Sequence, residues 1–381
     1  MDQGFVDGLV GWRRHLHAHP EPSLHEHDTA AFVCARLGEL GVPYTPGVGG
    51  TGVVATLRRG PSNRSVGLRA DMDALPITEE TGLPYASTRP GVMHACGHDG
   101  HTASLLGAAA LLARDRDWSG TVQFVFQPAE EGFGGARAMM QDGLFERFPM
   151  ERIFGWHNWP GLDAGTLAVH AGPVMAAAAR LGIVIEGHAA HAAMPHLARD
   201  PMLTAAHLLI ALQSVVSRGV DPLASAVLSI CMVEGGVAAN QIPDRATLRG
   251  TFRTHDPAVR DTVERSIHRI ATGVAQAFGT PAAVEVRHTT VATVNAPADA
   301  ALAADAAQAA GLPVRRDLPP SMAAEDFGWY LTEKPGAFVW IGNGPAAPGR
   351  ELHNPGYDFN DAVLPHAATW LAAVAKRALA D

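Results

Sequence analysis

The order of predicted helices and strands changes twice along this chain, and this change constrains the fold more than any other sequence feature. In the first part, short apolar segments typical of buried strands alternate with helical segments. The predicted strands are residues 53–57, 66–70, 121–126 and 153–157. A buried helix is predicted at residues 101–114, and an earlier helix is predicted to begin with a capping box formed by Ser23 and Glu26. This alternation is typical of an α/β sheet covered by helices.

The middle of the chain follows another pattern. Between residues 180 and 291 the predicted order is strand, helix, strand, strand, helix, strand. This βαββαβ order is the split unit of ferredoxin-like domains, which form a compact fold by themselves. The last part returns to helices around one strand. We therefore predict an α/β domain formed by residues 1–178 and 293–381, interrupted by an inserted ferredoxin-like domain at residues 179–292.

Charge and cysteine content narrow the class of protein. The net charge is −9 and no run of Lys or Arg occurs, which disfavours nucleic acids and anionic membranes as partners. The three cysteines are too few and too scattered for a disulfide framework and predict a reducing compartment. The N-terminus lacks a signal-peptide pattern, and the longest apolar stretch is too short to cross a bilayer. We therefore expect a cytoplasmic protein.

Nineteen histidines, several of them clustered, point to metal binding or acid–base chemistry. The densest cluster contains His94, Cys96, His98, Asp99 and His101, at the start of the predicted buried helix. A thiolate and an imidazole two residues apart favour Zn²⁺ or a Mn²⁺-like ion over Ca²⁺. The structural alternative is a core cysteine followed by histidines that cap a helix.

Further metal-competent side chains follow other predicted strands. Glu130 and Glu131 come just after the strand at 121–126, His157 ends another strand, and His353 lies in a Gly/Pro/Asn loop. The carboxyl ends of strands carry the active site in α/β sheets. One carboxylate of an adjacent pair can bind metal while the other serves as a base. A surface glutamate pair and structural histidines are the alternatives, but recurrence within one domain favours a metal centre.

Six strings in this sequence resemble those of the aminoacylase/carboxypeptidase superfamily of di-metal hydrolases. The most similar branch holds hippurate hydrolase, N-acyl-amino-acid amidohydrolases and plant auxin-conjugate hydrolases. The strings are RRHLH (13–17), RADMDALP (69–76), HACGHDGH (94–101), QPAEEG (127–132), NQIP (240–243) and HNPGYDF (353–359). The resemblance implies a mixed-sheet, di-zinc-peptidase-like catalytic domain, with the inserted domain acting as lid and dimerisation domain.

The resemblance also implies the site residues. Two divalent ions are expected per subunit, either Mn²⁺ or Zn²⁺, with Co²⁺ or Ni²⁺ as alternatives. Their implied ligands are Cys96, His98, Glu131, His157 and His353. Cys96 would bridge the ions, where other branches use an aspartate, and Glu130 would be the general base. Asp71 stands where other branches place a ligand histidine, so its role stays open. Asp73 is expected to support the ligands from behind.

Substrate contacts are expected from the inserted domain. The resemblance implies a homodimer or a higher homo-oligomer, in which His191 of the partner subunit would stabilise the oxyanion, although a turn histidine is the alternative. Asn240 and Arg253 would grip the substrate carboxylate, unless Arg253 is only a surface residue. Glu325 and Asp326 match another family string, without an assigned role.

The expected activity is hydrolysis of the amide bond of small N-acyl-L-amino acids, either hippurate-like or N-acetyl, by a metal-activated water. A dipeptidase, a carboxypeptidase or an N-acyl-diaminopimelate deacylase with the same site is the alternative. The alternative outside the enzymes is a metal-containing binding or scaffold protein without catalytic turnover. Such a protein would be expected to lack the base or a ligand, and both are present in this sequence.

Overall fold

An eight-stranded mixed sheet organises the first and last parts of the chain, and a second sheet organises the middle. The computed structural model describes residues 2–380. The first part contains α1 (Gln3–Ala18), α2 (His27–Glu39), β1 (Tyr44–Val48), β2 (Gly52–Arg59), β3 (Ser65–Asp71), α3 (His98–Arg114), β4 (Gly120–Gln127), α4 (Gly135–Gln141), α5 (Leu144–Arg147), β5 (Arg152–Pro160), β6 (Leu167–Ala168) and β7 (Pro173–Met175). The middle contains β8 (Ala177–Glu186), β9 (Ala190–His191), α6 (Pro201–Gly219), β10 (Ala226–Gly235), β11 (Gln241–Ile242), β12 (Arg245–Thr254), α7 (Pro257–Ala277) and β13 (Ala282–Thr290). The last part contains β14 (Thr293–Val294), α8 (Pro297–Ala309), β15 (Val314–Arg315), α9 (Gly328–Glu333), β16 (Gly336–Gly344) and α10 (Leu364–Ala380), and short 3-10 helices span Pro195–Leu197 and Asp361–Val363.

The strands of the large sheet lie in the order β1-β2-β4-β3-β5-β16-β6-β15. The four central strands, β4, β3, β5 and β16, are parallel to one another. Strands β1 and β2 run antiparallel at one edge, and β6 runs antiparallel to β16 near the other. The prediction of a mixed α/β sheet is therefore confirmed. Because the central strands are parallel, their carboxyl ends meet at one edge of the sheet.

Helix α3 is buried along nearly its whole length, which explains its apolar sequence. It packs against β3 on the sheet and against α1 and α10. The helix begins at His98, three residues before the predicted start, because Gly97 at its N-terminal boundary has a φ of 87°. Only glycine adopts this left-handed conformation without strain. The early start places His98 in the first turn of the helix.

The chain forms two compact units. Unit 1 comprises the chain up to Val174, Thr293–Pro320 and the chain from Asp326 onwards, while unit 2 comprises Met175–Ala292 and Ser321–Glu325. In unit 2, a four-stranded antiparallel sheet has the order β10-β12-β8-β13. Alternate residues of β8, such as Ile183 and Ile185, are buried against Leu208 and Leu212 of α6 and Ile267 of α7.

Strands β7 and β14 form a separate two-stranded sheet at the points where the chain leaves and re-enters unit 1. Next to this pair, the Asn295 amide donates a hydrogen bond to the Gly172 carbonyl at 2.9 Å. None of the helices within residues 2–380 combines the length and the apolar character that crossing a bilayer requires.

Candidate metal centre

The five side chains predicted as metal ligands come together in unit 1. Candidate ligand atoms of Cys96, His98 and His157 lie within 4.8 Å of one another. A second group, formed by Cys96, Glu131 and His353, meets the same distance limit. Cys96 is common to both groups, so its thiol lies where one sulfur could contact two ions. The arrangement follows from the parallel strands, because Glu131 comes after β4, and His157 lies near the end of β5.

The two buried histidines of the first group are held in the tautomer that metal binding requires. Nδ1 of His98 lies 2.8 Å from the Asp73 carbonyl oxygen and 3.2 Å from its carboxylate. Nδ1 of His157 lies 2.7 Å from the Asn158 carbonyl oxygen. Since these oxygens only accept, each Nδ1 donates, and Nε2 is the ring nitrogen left to face another partner. Metal-binding histidines are oriented in the same way.

The chemistry of the donor set fits a borderline divalent ion. Nε2 of His98 is buried and has no hydrogen-bond partner among residues 2–380. Nε2 of His157 lies 3.3 Å from Sγ of Cys96. Burial, together with His101, holds the pKa of His157 well below its usual value, so this ring is neutral. Burial and the charge of Glu131 raise the pKa of the Cys96 thiol, so its thiolate form requires a nearby cation. Sulfur, imidazole and carboxylate donors are those that Zn²⁺ and similar ions take.

The loop after β4 turns sharply at Ala129 and carries the two glutamates to the candidate site. Ala129 has a φ of 52°, a left-handed conformation that is uncommon outside glycine. Its amide donates to Oε1 of Glu26 at 2.8 Å, and the Glu131 amide donates to Oδ2 of Asp73 at 3.0 Å. Glu130 lies beside Glu131 and His98, within the same 4.8 Å limit, and Oε1 of Glu130 accepts from the Asp326 amide at 3.3 Å. The Glu130 carboxylate therefore lies next to the five candidate metal ligands without being one of them.

His353 reaches the site from a loop after β16. Its amide donates to the Ala95 carbonyl at 2.8 Å, and its Nε2 lies 3.2 Å from Oε1 of Glu131. His353 has a φ of 63°, and its side chain is about half exposed, at 52%. Left-handed backbone at a non-glycine residue costs energy and is often found at functional sites.

Asp71 and Asp73 contact the candidate ligands differently. Asp71 is engaged on both oxygens, by Nη1 of Arg69 at 2.8 Å and Nδ1 of His101 at 2.6 Å. Burial opposes ionisation of Asp71, but His98, Arg69 and His101 outweigh it and hold its pKa well below the usual range. Asp73 instead contacts His98 and the Glu131 amide directly. Asp73 therefore joins two candidate ligands, while Asp71 is bonded to Arg69 and His101 and lies 3.7 Å from Nε2 of His98.

His101, despite its place in the histidine cluster, has both ring nitrogens occupied. Nδ1 pairs with Asp71, and Nε2 accepts from the Asn158 amide at 3.0 Å. Asn158 also donates to the Cys96 carbonyl at 2.7 Å and accepts from the Tyr357 hydroxyl at 2.7 Å. These contacts fix the Cys96 loop to β5 and make His101 a structural member of the site.

The capping box predicted for Ser23 and Glu26 is wrong. Helix α2 begins at His27, and Glu26 makes no side-chain capping bond there. Ser23 donates to Oδ2 of Asp73 at 2.6 Å, and Glu26 accepts from the Ala129 amide and from Thr51. Both side chains therefore hold the candidate site. Sequence reasoning missed this role, since these partners lie far away in the chain and the local pattern alone resembles a cap.

The predicted substrate-binding residues lie in unit 2. His191 in β9 pairs with Gln241, and the Ala192 amide donates to the Asn240 carbonyl at 2.9 Å, so His191 and Asn240 are neighbours. Nδ1 of His191 accepts from the Ala193 amide at 3.1 Å, which leaves the proton on Nε2 of this exposed ring. Arg253 in β12 donates to the Met322 carbonyl at 3.2 Å.

Glu325 and Asp326 are both buried but belong to different units. In unit 1, Asp326 accepts from Arg69 at 3.2 Å, from Gln127 at 2.7 Å and from the Ala136 amide at 3.0 Å. It therefore braces the loop that carries the two glutamates. In unit 2, the Glu325 carbonyl accepts from the Thr290 hydroxyl at 3.4 Å.

Comparison with known proteins agrees with this geometry. The profile of Peptidase family M20/M25/M40 matches residues 67–377. The N-acetyl-L-cysteine deacetylase of Bacillus subtilis is 41% identical over 97% of this chain and 88% of its own length. The hippurate hydrolase of Campylobacter jejuni is 41% identical over 96% of this chain and 95% of its own length. The solved YXEP protein of Bacillus subtilis, described as a dinuclear metal binding peptidase from the M20 family, has a TM-score of 0.87 at 36% identity and covers 98% of both chains. The predicted resemblance is confirmed, and the chain belongs to peptidase family M20/M25/M40.

Proposed function

We propose that this chain is a metal-dependent amidohydrolase that cleaves the amide bond of N-acyl-L-amino acids. The observation that carries the proposal is one thiol, Cys96, shared by two groups of candidate ligands beside Glu130. The names of the hippurate hydrolase and N-acetyl-L-cysteine deacetylase relatives support the substrate class. The three cysteines are unpaired, which supports a reducing, cytoplasmic compartment.

We propose Mn²⁺ or Zn²⁺ as the ions, two per subunit. Cys96, His98 and His157 would hold one ion, while Cys96, Glu131 and His353 would hold the other. Bound divalent ions polarise a carbonyl and lower the pKa of a water toward about 7. Asp73 would keep His98 and Glu131 in place through its hydrogen bonds to both.

Glu130 is the proposed general base. Its carboxylate would take the proton of the attacking water and later deliver it to the leaving nitrogen of the amide. Acid–base help of this kind typically contributes about 10²–10⁴ to the rate. The contact between Glu130 and the Asp326 amide holds one oxygen, and the loop beginning at Ala129 sets the side chain's direction.

A Glu130→Gln variant tests this role. Glutamine keeps the size of the side chain and an oxygen that can accept from Asp326, but it does not take up the proton. We expect the variant to retain two ions per subunit, measured by elemental analysis, while hydrolysis of N-acetyl and N-benzoyl amino acids falls at least about 100-fold. Normal turnover in the variant would require another base.

In unit 2, we propose that residues 179–292 form an inserted ferredoxin-like domain that serves as lid and dimerisation domain. His191 would donate from Nε2 to the oxyanion of the tetrahedral intermediate, because Nδ1 already accepts from Ala193. Asn240 and Arg253 would bind the substrate carboxylate. The small-molecule substrate would thus be recognised through these residues of unit 2.

A further inference from the structure

A buried arginine joins two of the segments that carry candidate metal ligands. Arg13 in α1 is fully buried. Its Nε lies 2.9 Å from Oδ2 of Asp99, and its Nη2 forms an ion pair with Asp358. Its Nη1 lies 3.4 Å from Asp361. One guanidinium group therefore contacts three carboxylates from two distant parts of the sequence.

The positions of these carboxylates relate Arg13 to the metal centre. Asp99 directly follows His98 in the first turn of α3, and Asp358 lies in the same loop as His353. Asp99 has a second cationic partner, because Nδ1 of His17 lies 2.8 Å from its Oδ2. Asp358 otherwise accepts from the neutral Tyr85 hydroxyl at 3.0 Å. Among the ion pairs of residues 2–380, Asp358 is paired with Arg13 alone.

We propose that Arg13 is a positioning residue that holds His353 against Glu131 and Cys96. The inference rests on the proposed function, because it requires His353 to be a metal ligand. His353 is half exposed and has a left-handed backbone, and besides the bond from its amide to the Ala95 carbonyl its conformation depends on anchors elsewhere in its loop. The ion pair between Arg13 and Asp358 is a charged anchor of this kind, and it ties the loop to the segment that carries His98.

Lysine cannot make all of these contacts at once. The guanidinium group presents donors in a planar fork that reaches several carboxylates at once, whereas the lysine ammonium is a single point charge. In an Arg13→Lys variant, Asp99 would keep His17 as a partner and Asp358 would lose its charged anchor. Tyr357 is fully buried and still bonded to Asn158, so the loop should remain folded onto unit 1. The defect should therefore fall on the ion that His353 contacts.

The test compares Arg13→Lys with Arg14→Lys. Arg14 is the adjacent residue, 47% exposed, and pairs with Asp361 at 2.8 Å, so it undergoes the same exchange of guanidinium for ammonium without the buried contacts. Each Mn²⁺-loaded protein is dialysed against graded concentrations of a chelator, and the Mn²⁺ remaining per subunit is measured. Loss of a residue that supports metal ligands typically weakens metal affinity about 10–100-fold. We expect Arg13→Lys to release one ion at least about tenfold more readily, while the other ion and the Arg14→Lys protein behave like wild type.

Three outcomes would overturn the inference. Retention of both ions at wild-type affinity would show that Arg13 does not position His353. Parallel weakening of both ions would indicate a general loosening of unit 1. Wild-type protein with fewer than two ions would instead contradict the proposed metal centre itself. If Arg13→Lys does not fold, Asp358→Asn removes the same ion pair from the loop side, and it must reproduce the selective loss of one ion.

Discussion

At the scale of single residues, Gly97 determines the path of the backbone between the candidate ligands Cys96 and His98. Its φ is 87°, and a Cβ atom there would lie 2.4 Å from Nδ2 of Asn158 and 2.6 Å from the Tyr357 hydroxyl. Both neighbours are fixed by hydrogen bonds to each other. We expect Gly97→Ala to lower the free energy of unfolding of unit 1 by about 2–5 kcal/mol, combining backbone strain with overpacking. Bound metal should fall with it.

Gly91→Ala is the matched control for this prediction. Gly91 has a φ of 78°, but a Cβ atom there would have nothing within 4 Å. It should therefore show only the backbone strain of about 1–2 kcal/mol. Urea unfolding followed by tryptophan fluorescence measures unit 1 selectively, because all seven tryptophans belong to it. If the free energy of unfolding fell equally in the two variants, the contact of the new methyl group with Asn158 would make no contribution.

Single residues also show the limits of reading this sequence. The candidate ligands could be predicted because each belongs to a short string with its own chemistry. Ser23 and Glu26 could not, since the pattern Ser-x-x-Glu is common at helix starts. Their actual partners, Asp73 and Ala129, are 50 and 103 residues away, and no local pattern reports contacts at that separation.

At the scale of elements, helix α1 carries a pH-dependent contribution to stability. His17 is fully buried, with Nδ1 at 2.8 Å from Asp99 and Nε2 at 3.3 Å from Glu79. Burial opposes its charge, but these two carboxylates prevail and raise its pKa to about 9. A raised pKa in the folded state contributes stability that is fully present below the unfolded value of about 6.5 and is lost as pH rises through about 9.

We therefore expect the free energy of unfolding of the metal-loaded protein to decrease by roughly 3 kcal/mol from this group between about pH 6.5 and 9.5. The measurement is urea unfolding across this range for wild type and His17→Gln. In His17→Gln, the decrease in the free energy of unfolding with rising pH should be smaller by this amount. His19→Gln changes an exposed histidine of the same segment and should show the same decrease as wild type. Identical slopes in wild type and His17→Gln would contradict the charged state of His17.

The longer elements were predictable, and the shortest were not. The predicted strand at 121–126 corresponds to β4, and that at 153–157 corresponds to β5, each within three residues at its ends. Two-residue strands such as β6, β9 and β15 have no periodicity that a sequence can reveal. They form because neighbouring segments offer unpaired backbone groups, which is a property of the folded chain.

At the scale of the whole molecule, the proposed role of His191 predicts complementation between subunits. We expect Glu130→Gln and His191→Ala to be nearly inactive alone. In a mixed dimer, one metal centre would combine an intact Glu130 with an intact His191 from the other chain. Mixed dimers isolated with two different tags should therefore show about half of wild-type activity.

A matched mixture separates complementation from contamination. Glu130→Gln combined with Glu131→Gln alters the metal centre of both chains, so no dimer of these two variants contains an intact site. This mixture should remain inactive. If the mixed dimer of Glu130→Gln and His191→Ala were equally inactive, His191 would act within its own chain.

The chain leaves unit 1 at β7 and returns to it at β14, and these two strands pair with each other. This pairing affects which changes of length the segment between them can tolerate during evolution. The bond between Asn295 and Gly172 already ties the two ends, so doubling the length of the segment between them adds only about 0.6 kcal/mol of closure entropy. The length of that segment can therefore change while the strands of unit 1 keep their register. A domain with such an insertion point could therefore accept inserted domains of different length and still fold in the same way.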